Sequence, residues 1–379
     1  MTNPLRELNR LGQSVWYDNL NRELLATGRL RKMVEEDGVS GGTSNPSIFE
    51  KAIASGDVYD DHIRELANAD IPAIFDALTV ADVQQSADVF RPAYDATRGA
   101  DGYASLEVPP DLAYETQATI DNARRLFKAL DRPNVMIKIP GTQEGLPAVE
   151  QCLSEGLNIN ITLLFSVDNY DQVARAYIAA LEKRAQRGEP IDGIASVASF
   201  FVSRVDTLTD DKLKAKIDTT GSEAEKAHLS SLTGKAAVAN AKVAYEKYRE
   251  IFSGPRWDAL AAKGARVQRC LWASTSTKNP DYRDVIYVED LIGPDTVNTL
   301  PQNTLDAFRD HGRAALTLEQ GVAEAHDVIR RIESAGISFK AVTDELQTQG
   351  VKLFCDSFDK AVESIVQKRE VLRGAGARA

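Results

Sequence analysis

Cysteine is scarce in this chain of 379 residues, and the three present, Cys152, Cys270 and Cys355, lie far apart with no CxxC pair among them. That usage argues against a disulfide framework or a zinc ribbon and fits reduced thiols in a cytosolic protein. The four histidines, His62, His228, His311 and His326, make no HxxxH or HxH pair, so no metal is expected. Positive charge is outweighed, with 45 Lys and Arg against 56 Asp and Glu, a formal net charge of -11. No basic cluster interleaved with aromatics stands out, so nucleic acid and anionic membrane are not expected partners. No apolar run approaches the length of a membrane span, and MTNPLRELNRLGQ at the start has no signal-peptide core. A soluble, cytoplasmic protein is the expectation. Neither a P-loop nor a GxGxxG fingerprint is present, so ATP and NAD are not indicated, and no cofactor is expected.

What the chain does have is a core's worth of apolar residues, 43% hydrophobic against 27% charged. Short apolar runs of strand length alternate with longer helical patterns, the mark of repeated βα units around a parallel sheet. The expected strands are SVWYD (14–18), VSGGTS (39–44), ASLEV (104–108), NVMIKI (134–139), NINITLL (158–164), IASVASF (194–200), VQRCLWA (267–273) and TVNTL (296–300). Eight is the number that closes a (β/α)8 TIM barrel, and that α/β architecture is the fold expected.

Helices are expected over 110–130 and over 166–187, the second with Ser166 as N-cap. The stretches 45–103 and 202–266 are longer than a minimal βα unit needs and have room for extra helices. A C-terminal helical region covers 301–379, notably 344–372, with RGAGARA at its end expected to fray. Residues 1–379 are read as a single domain, because strand patterns of one kind flank each insertion.

Alternate residues of a strand face opposite sides, so parity sorts each run into two faces. In NVMIKI, Val135, Ile137 and Ile139 share one face, and Lys138 lies on the other. In NINITLL, Asn158, Asn160 and Thr162 share a face opposite Ile159, Ile161 and Leu163. Barrel strands are normally apolar on both sides, so polar residues near several strand ends suggest the floor of a site. Asp18, Thr43 with Asn45, Glu107 and Ser199 complete that set. Each also has an ordinary reading. Asp18 could be a helix cap, TSNPS (43–47) a strand-to-helix turn, and Glu107 a structural ion pair to Lys138. Parity alone leaves Lys138 open between that ion pair and catalysis.

A lysine in an enclosed apolar site has its ammonium form disfavoured, and a neutral amine attacks a carbonyl to form a Schiff base. The imine is an electron sink, so a C–C bond one carbon further on can break. Glu107 and Asp18 could divide the proton transfers that this requires. Asn45, Asn160, Thr162 and Ser199 could hold sugar hydroxyls and a relay water.

Four segments resemble the transaldolase family: GGTSNPSIF (41–49), VMIKIPGTQEGLPAVEQC (135–152), LNINITLLFS (157–166) and ASFFVSR (198–204). The likeness runs through nearly the whole chain in order, and the length is similar to the longer bacterial and plastid branch. It implies a class I Schiff-base enzyme of the non-oxidative pentose phosphate pathway. Such enzymes move a dihydroxyacetone unit from sedoheptulose 7-phosphate to glyceraldehyde 3-phosphate, giving erythrose 4-phosphate and fructose 6-phosphate. By motif position, Lys138 would be the Schiff-base lysine, Glu107 the acid/base acting through a water held by Thr162, and Asp18 the group at the cleaved bond. Asn45 and Asn160 would bind the dihydroxyacetone unit, with Thr43 beside them, and Ser199 and Arg204 the phosphate. Many relatives carry a second phosphate arginine soon after an Ala-Ser pair. In LWASTSTKN (271–279) none follows Ala273-Ser274, and Lys278 is assigned that role at a different offset. Two alternatives are kept: an aldolase that releases free dihydroxyacetone, and a non-catalytic sugar-phosphate-binding barrel. Oligomeric state, monomer or homodimer, is left open by the sequence.

Overall fold

In the computed structural model, which describes residues 3–376, the apolar runs form eight parallel strands. These are β1 (Gln13–Asp18), β2 (Val39–Thr43), β3 (Ala104–Glu107), β4 (Val135–Pro140), β5 (Ile159–Leu164), β6 (Ser196–Phe201), β7 (Arg269–Ala273) and β8 (Thr296–Leu300). They pair in sequence order, and β8 returns to β1 to close the barrel. Every residue of β4, β5 and β6 is buried, as expected of strands covered by helices on one side and by packed side chains on the other.

All eight expected strands are present, TVNTL with the expected bounds and the others with at least one end displaced by one or two residues. At the N-terminal face side-chain amides add to the backbone ladder. Asn158, expected to open β5, accepts from the Ala195 backbone N–H through Oδ1 and reaches the Val135 carbonyl through Nδ2, while its own carbonyl accepts from the Ile137 N–H. Gln268, expected within β7, donates to the Ser196 hydroxyl.

The helix expected over 110–130 is broken. Pro110–Tyr114 is a 3-10 turn, and the α-helix runs from Thr116 to Leu130. Two carbonyls of the first turn are captured from outside it, Leu112 by the Thr119 hydroxyl and Ala113 by that of Thr142. The helix expected over 166–187 spans Val167–Gln186, and Ser166 Oγ accepts from the Asn169 N–H as its cap.

The two long stretches hold helices. Pro46–Ala54, Asp60–Glu65 and Ile71–Ala96 lie in the first, and four helices from Ser203–Thr219 to Pro255–Ala261 in the second. The C-terminal helix is longer than expected, Phe339–Gly376, and residues 373–376 of the run expected to fray are helical; 377–379 lie outside the described residues. It starts early because Ser338 Oγ accepts from the Ala341 N–H.

This helix crosses the carboxyl ends of the strands. Gly350 lies against β5, where a Cβ would come within 2.9 Å of a Leu163 methyl. Gln347 Nε2 lies 3.1 Å from the Gly141 carbonyl and 3.2 Å from that of Leu163. Ser357 meets Ser47 at 2.7 Å, and Phe358 packs edge-on to Phe75. Leu163 itself has a left-handed φ of 58°, an unusual conformation for a branched residue, and the β5–β6 register shifts around it.

Candidate active site

A cavity of about 920 Å³ opens at the carboxyl end of the barrel. That is the face on which (β/α)8 barrels build their sites, since eight strand ends and loops converge there. Lys138 of β4 is at its floor, 4% exposed, with its Nζ 3.1 Å from Glu107 Oε2 and 3.0 Å from the Ser44 carbonyl. Strand register explains the first contact, since Glu107 of β3 pairs with Lys138, which pairs with Asn160 of β5. The ion pair considered from sequence is therefore present. It sets the lysine beside a carboxylate that can accept its proton.

Burial raises the pKa of Glu107 above the ordinary carboxylate range, opposed by the charge and hydrogen bond of Lys138. Its second oxygen, Oε1, is buried without a protein partner among the described residues, and so is Thr162 Oγ1. Asp18, at the end of β1, is also raised by burial, with Lys138, the Thr43 hydroxyl and Lys278 pulling the other way. Two carboxyls in different surroundings thus flank one amine.

Each residue of the TSNPS run does something different. Thr43 Oγ1 donates to Asp18 Oδ1 at 2.7 Å, and Ser44 Oγ donates to the Ser105 carbonyl. Asn45 Oδ1 caps the Pro46–Ala54 helix at the Ile48 N–H, while its Nδ2 has no partner among the described residues. Pro46 fills the first helical turn, and Ser47 reaches the C-terminal helix. The run is a strand-to-helix turn, and Thr43, Asn45 and Ser47 also line the cavity.

Asn45, Thr43, Thr162 and Ser199 line the cavity with Asp18 and Lys138. Asn160 does not reach the cavity wall in the same way. Its Nδ2 donates to Ser105 Oγ and its Oδ1 accepts from Ser199 Oγ at 2.6 Å, so both ends of the amide are engaged.

Arg204, in the first turn of the Ser203–Thr219 helix, and Lys278, in the loop after β7, both line the cavity. Burial lowers the pKa of Arg204, and that of Lys278 is lowered by burial and then by the Arg204 charge. Lys278 donates to Ser276 Oγ at 2.5 Å, and the Arg204 guanidinium lies 5.8 Å from the Phe201 ring centre. Lys51, on the Pro46–Ala54 helix, lines the same cavity. Among the described residues none of these three cations pairs with a carboxylate, although the protein as a whole is acidic. A cluster of cations without direct carboxylate partners suits an anion such as a phosphate ester.

Sequence reasoning missed Lys51, the Ser44 carbonyl, Thr299 and Phe354. Thr299 of β8 shares a 3.0 Å contact with Thr43 Oγ1 and obeys the same signal as the others, a polar side chain near a strand end. Phe354 comes from the C-terminal helix, and its ring centre lies 5.9 Å from Lys138 Nζ. No local pattern could have placed it there.

The family model of transaldolase/fructose-6-phosphate aldolase matches residues 15–365 of the chain. A protein named Transaldolase 2 from Nostoc sp. is 49% identical over 378 residues, covering 98% of each chain. A Transaldolase from Thiobacillus denitrificans is 48% identical, covering 96% of this chain and 99% of its own. One from Frankia alni is 46% identical, with 97% and 98% covered. With matches that span the barrel and the helices around it, the chain belongs to the transaldolase/fructose-6-phosphate aldolase family.

Proposed function

We propose that the protein is a transaldolase that carries a dihydroxyacetone unit from sedoheptulose 7-phosphate to glyceraldehyde 3-phosphate. The products are erythrose 4-phosphate and fructose 6-phosphate, a step of the non-oxidative pentose phosphate pathway. The observation that carries the reading is Lys138, buried 3.1 Å from Glu107 at the floor of a cavity that also holds three unpaired cations. Free release of dihydroxyacetone is the less favoured reading, since the relatives above are named transaldolases. A non-catalytic role is argued against by Lys138, Glu107 and Asp18 occurring together.

In this mechanism Glu107 takes a proton from Lys138, and the amine attacks the ketose C2 to give a carbinolamine. Loss of water needs a proton on the departing hydroxyl, which Glu107 supplies through a water hydrogen-bonded to Thr162. The two buried, unpartnered oxygens Glu107 Oε1 and Thr162 Oγ1 support that relay. Asp18 then accepts the C4 hydroxyl proton as the C3–C4 bond breaks, its electrons passing to the imine nitrogen. Erythrose 4-phosphate leaves. The enamine carbon adds to the aldehyde of glyceraldehyde 3-phosphate, Asp18 returns its proton to the new alkoxide, and hydrolysis of the imine frees fructose 6-phosphate.

Thr43 and Thr299 orient Asp18, a role supported by their shared contact. Asn45 Nδ2 is a donor for the substrate's hydroxyls, and Asn160 becomes one by exchanging Ser105 for the substrate. Ser199 holds Asn160 in place and offers a second contact. Arg204, Lys278 and Lys51 bind the phosphate. The lysine itself supplies the electron sink, so the mechanism calls for no metal or cofactor. Residues 1–379 are read as one domain acting in the cytoplasm on small phosphorylated sugars.

Borohydride reduction with fructose 6-phosphate, followed by mass spectrometry, tests the reading. A stable three- or six-carbon adduct is expected on Lys138, and Lys138→Ala should lose both the adduct and the transfer activity. An adduct on another lysine, or none, overturns the assignment.

A further inference from the structure

The walls around Lys138 are mostly polar. Asp18, Thr43, Asn45, Thr162 and Ser199 each bring a group that can hold water. Two aromatic rings also line it: Phe201, beside Arg204, and Phe354, whose centre lies 5.9 Å from the reacting nitrogen with only 5% of its residue surface exposed. The position of Phe354 is fixed on both sides. One turn earlier Gly350 allows close contact with Leu163, and one turn later Ser357 is tied to Ser47. Gln347 adds its bonds to the ends of β4 and β5.

We infer that Phe354 is a specificity-determining residue that shields the enamine from proton donors and so directs the bound three-carbon unit to an acceptor aldehyde. The inference rests on the Schiff-base reading of Lys138.

Once the C3–C4 bond has broken, the enamine carbon has two fates. It can form a bond to the carbonyl carbon of an incoming aldehyde, whose oxygen then takes the proton held by Asp18. Otherwise it takes a proton itself, water adds to C2 of the resulting imine, the C2–N bond breaks, and free dihydroxyacetone leaves the regenerated amine. The relay water at Glu107 and Thr162 serves imine hydrolysis on both routes, so it does not separate them. Protonation of carbon does. A ring face without hydrogen-bond donors, held over the nitrogen, denies that carbon extra water while leaving room for a larger aldehyde.

The test compares two rates in the parent, Phe354→Ala, Phe354→Val and Phe354→Leu. One is transfer from fructose 6-phosphate to an aldehyde acceptor. The other is release of free dihydroxyacetone from fructose 6-phosphate alone in D2O, where each release places one deuterium on the product. The ratio of release to transfer should rise severalfold in Phe354→Ala, less in Phe354→Val, and stay near the parent in Phe354→Leu, which keeps apolar bulk. If Phe354→Ala does not fold by circular dichroism, Phe354→Val carries the comparison. A ratio unchanged in the folded variants, or the two rates falling together, overturns the inference. Borohydride adducts on Lys138 are measured in parallel. A parent without the adduct refutes the Schiff-base reading, whereas an adduct with an unchanged ratio refutes only the role of Phe354.

Discussion

Arg204 illustrates what one side chain can and cannot reveal. In sequence it is an arginine five residues beyond Ser199, which on its own reads as a surface residue. In the fold it is half-buried, without a carboxylate, facing the same cavity as Lys278 and Lys51. A charge-assisted hydrogen bond contributes about 1.5–3 kcal/mol, so Arg204→Ala should raise the KM for phosphorylated sugars by roughly ten- to a hundredfold. The kcat should change little, because the group binds ground and transition states alike. Steady-state kinetics with fructose 6-phosphate and with unphosphorylated fructose distinguish this from general damage, since an equal loss on both would contradict it. Lys138, Glu107, Asp18 and Thr162 were legible because strand parity marks polar residues on a face normally apolar. Lys51 was not, because a lysine on an exposed helix is unremarkable until the barrel turns that helix toward the cavity.

At the scale of elements, the Ser203–Thr219 helix that carries Arg204 is anchored by two acids one turn apart. Asp206 accepts from the Ala237 N–H and from the Tyr287 hydroxyl, both at 2.7 Å, and Asp210 accepts from the Gly234 N–H at 2.9 Å and the Tyr282 hydroxyl at 2.7 Å. Burial pushes Asp206 up from 3.8 to about 6, with its hydrogen bonds opposing. The folded state thus prefers the protonated acid. The stability this contributes is present below about pH 4 and is lost as pH rises through about 6. Two pKa units correspond to about 3 kcal/mol. Urea melts of the parent and Asp206→Asn should therefore show the parent's advantage shrinking by roughly 2–3 kcal/mol between about pH 4 and pH 7. A difference that stays constant with pH would contradict the assignment. Element type was legible except at Pro110–Tyr114, since apolar runs of strand length alternated with helical patterns. Ends were not, because Asn158, Gln268, Thr119 and Thr142 add side-chain hydrogen bonds to groups in other parts of the chain.

The whole molecule separates its two barrel faces by purpose. Opposite the cavity, Asp101 ties several strands together: it accepts from Ser14 and Trp16 of β1 and Ser40 of β2, and pairs with Arg269 of β7 at 3.4 Å. Burial alone would raise its pKa, yet Arg269 and those donors hold it below the usual value. Removing one partner of such a pair leaves the other buried and uncompensated, so Asp101→Ala should destabilise the fold by about 3–5 kcal/mol. The chemistry proposed above is at the far face, so kcat for the remaining folded enzyme should stay near the parent. A large loss of kcat with unchanged melting would reverse that division. The barrel was legible from the count of strand-like runs, whereas the path of the C-terminal helix was not, because its contacts join residues far apart in the chain, 206 positions for Gln347 to Gly141 and 310 for Ser357 to Ser47. That path also orders events during synthesis. A ribosome delivers the chain from its amino end, so β1 waits for β8 before the ring can close, and Phe354 emerges later still. A nascent chain can complete its barrel and hold Lys138 at the floor before the aromatic cover has been made, and the enclosed pocket is the last part of the enzyme to come into being.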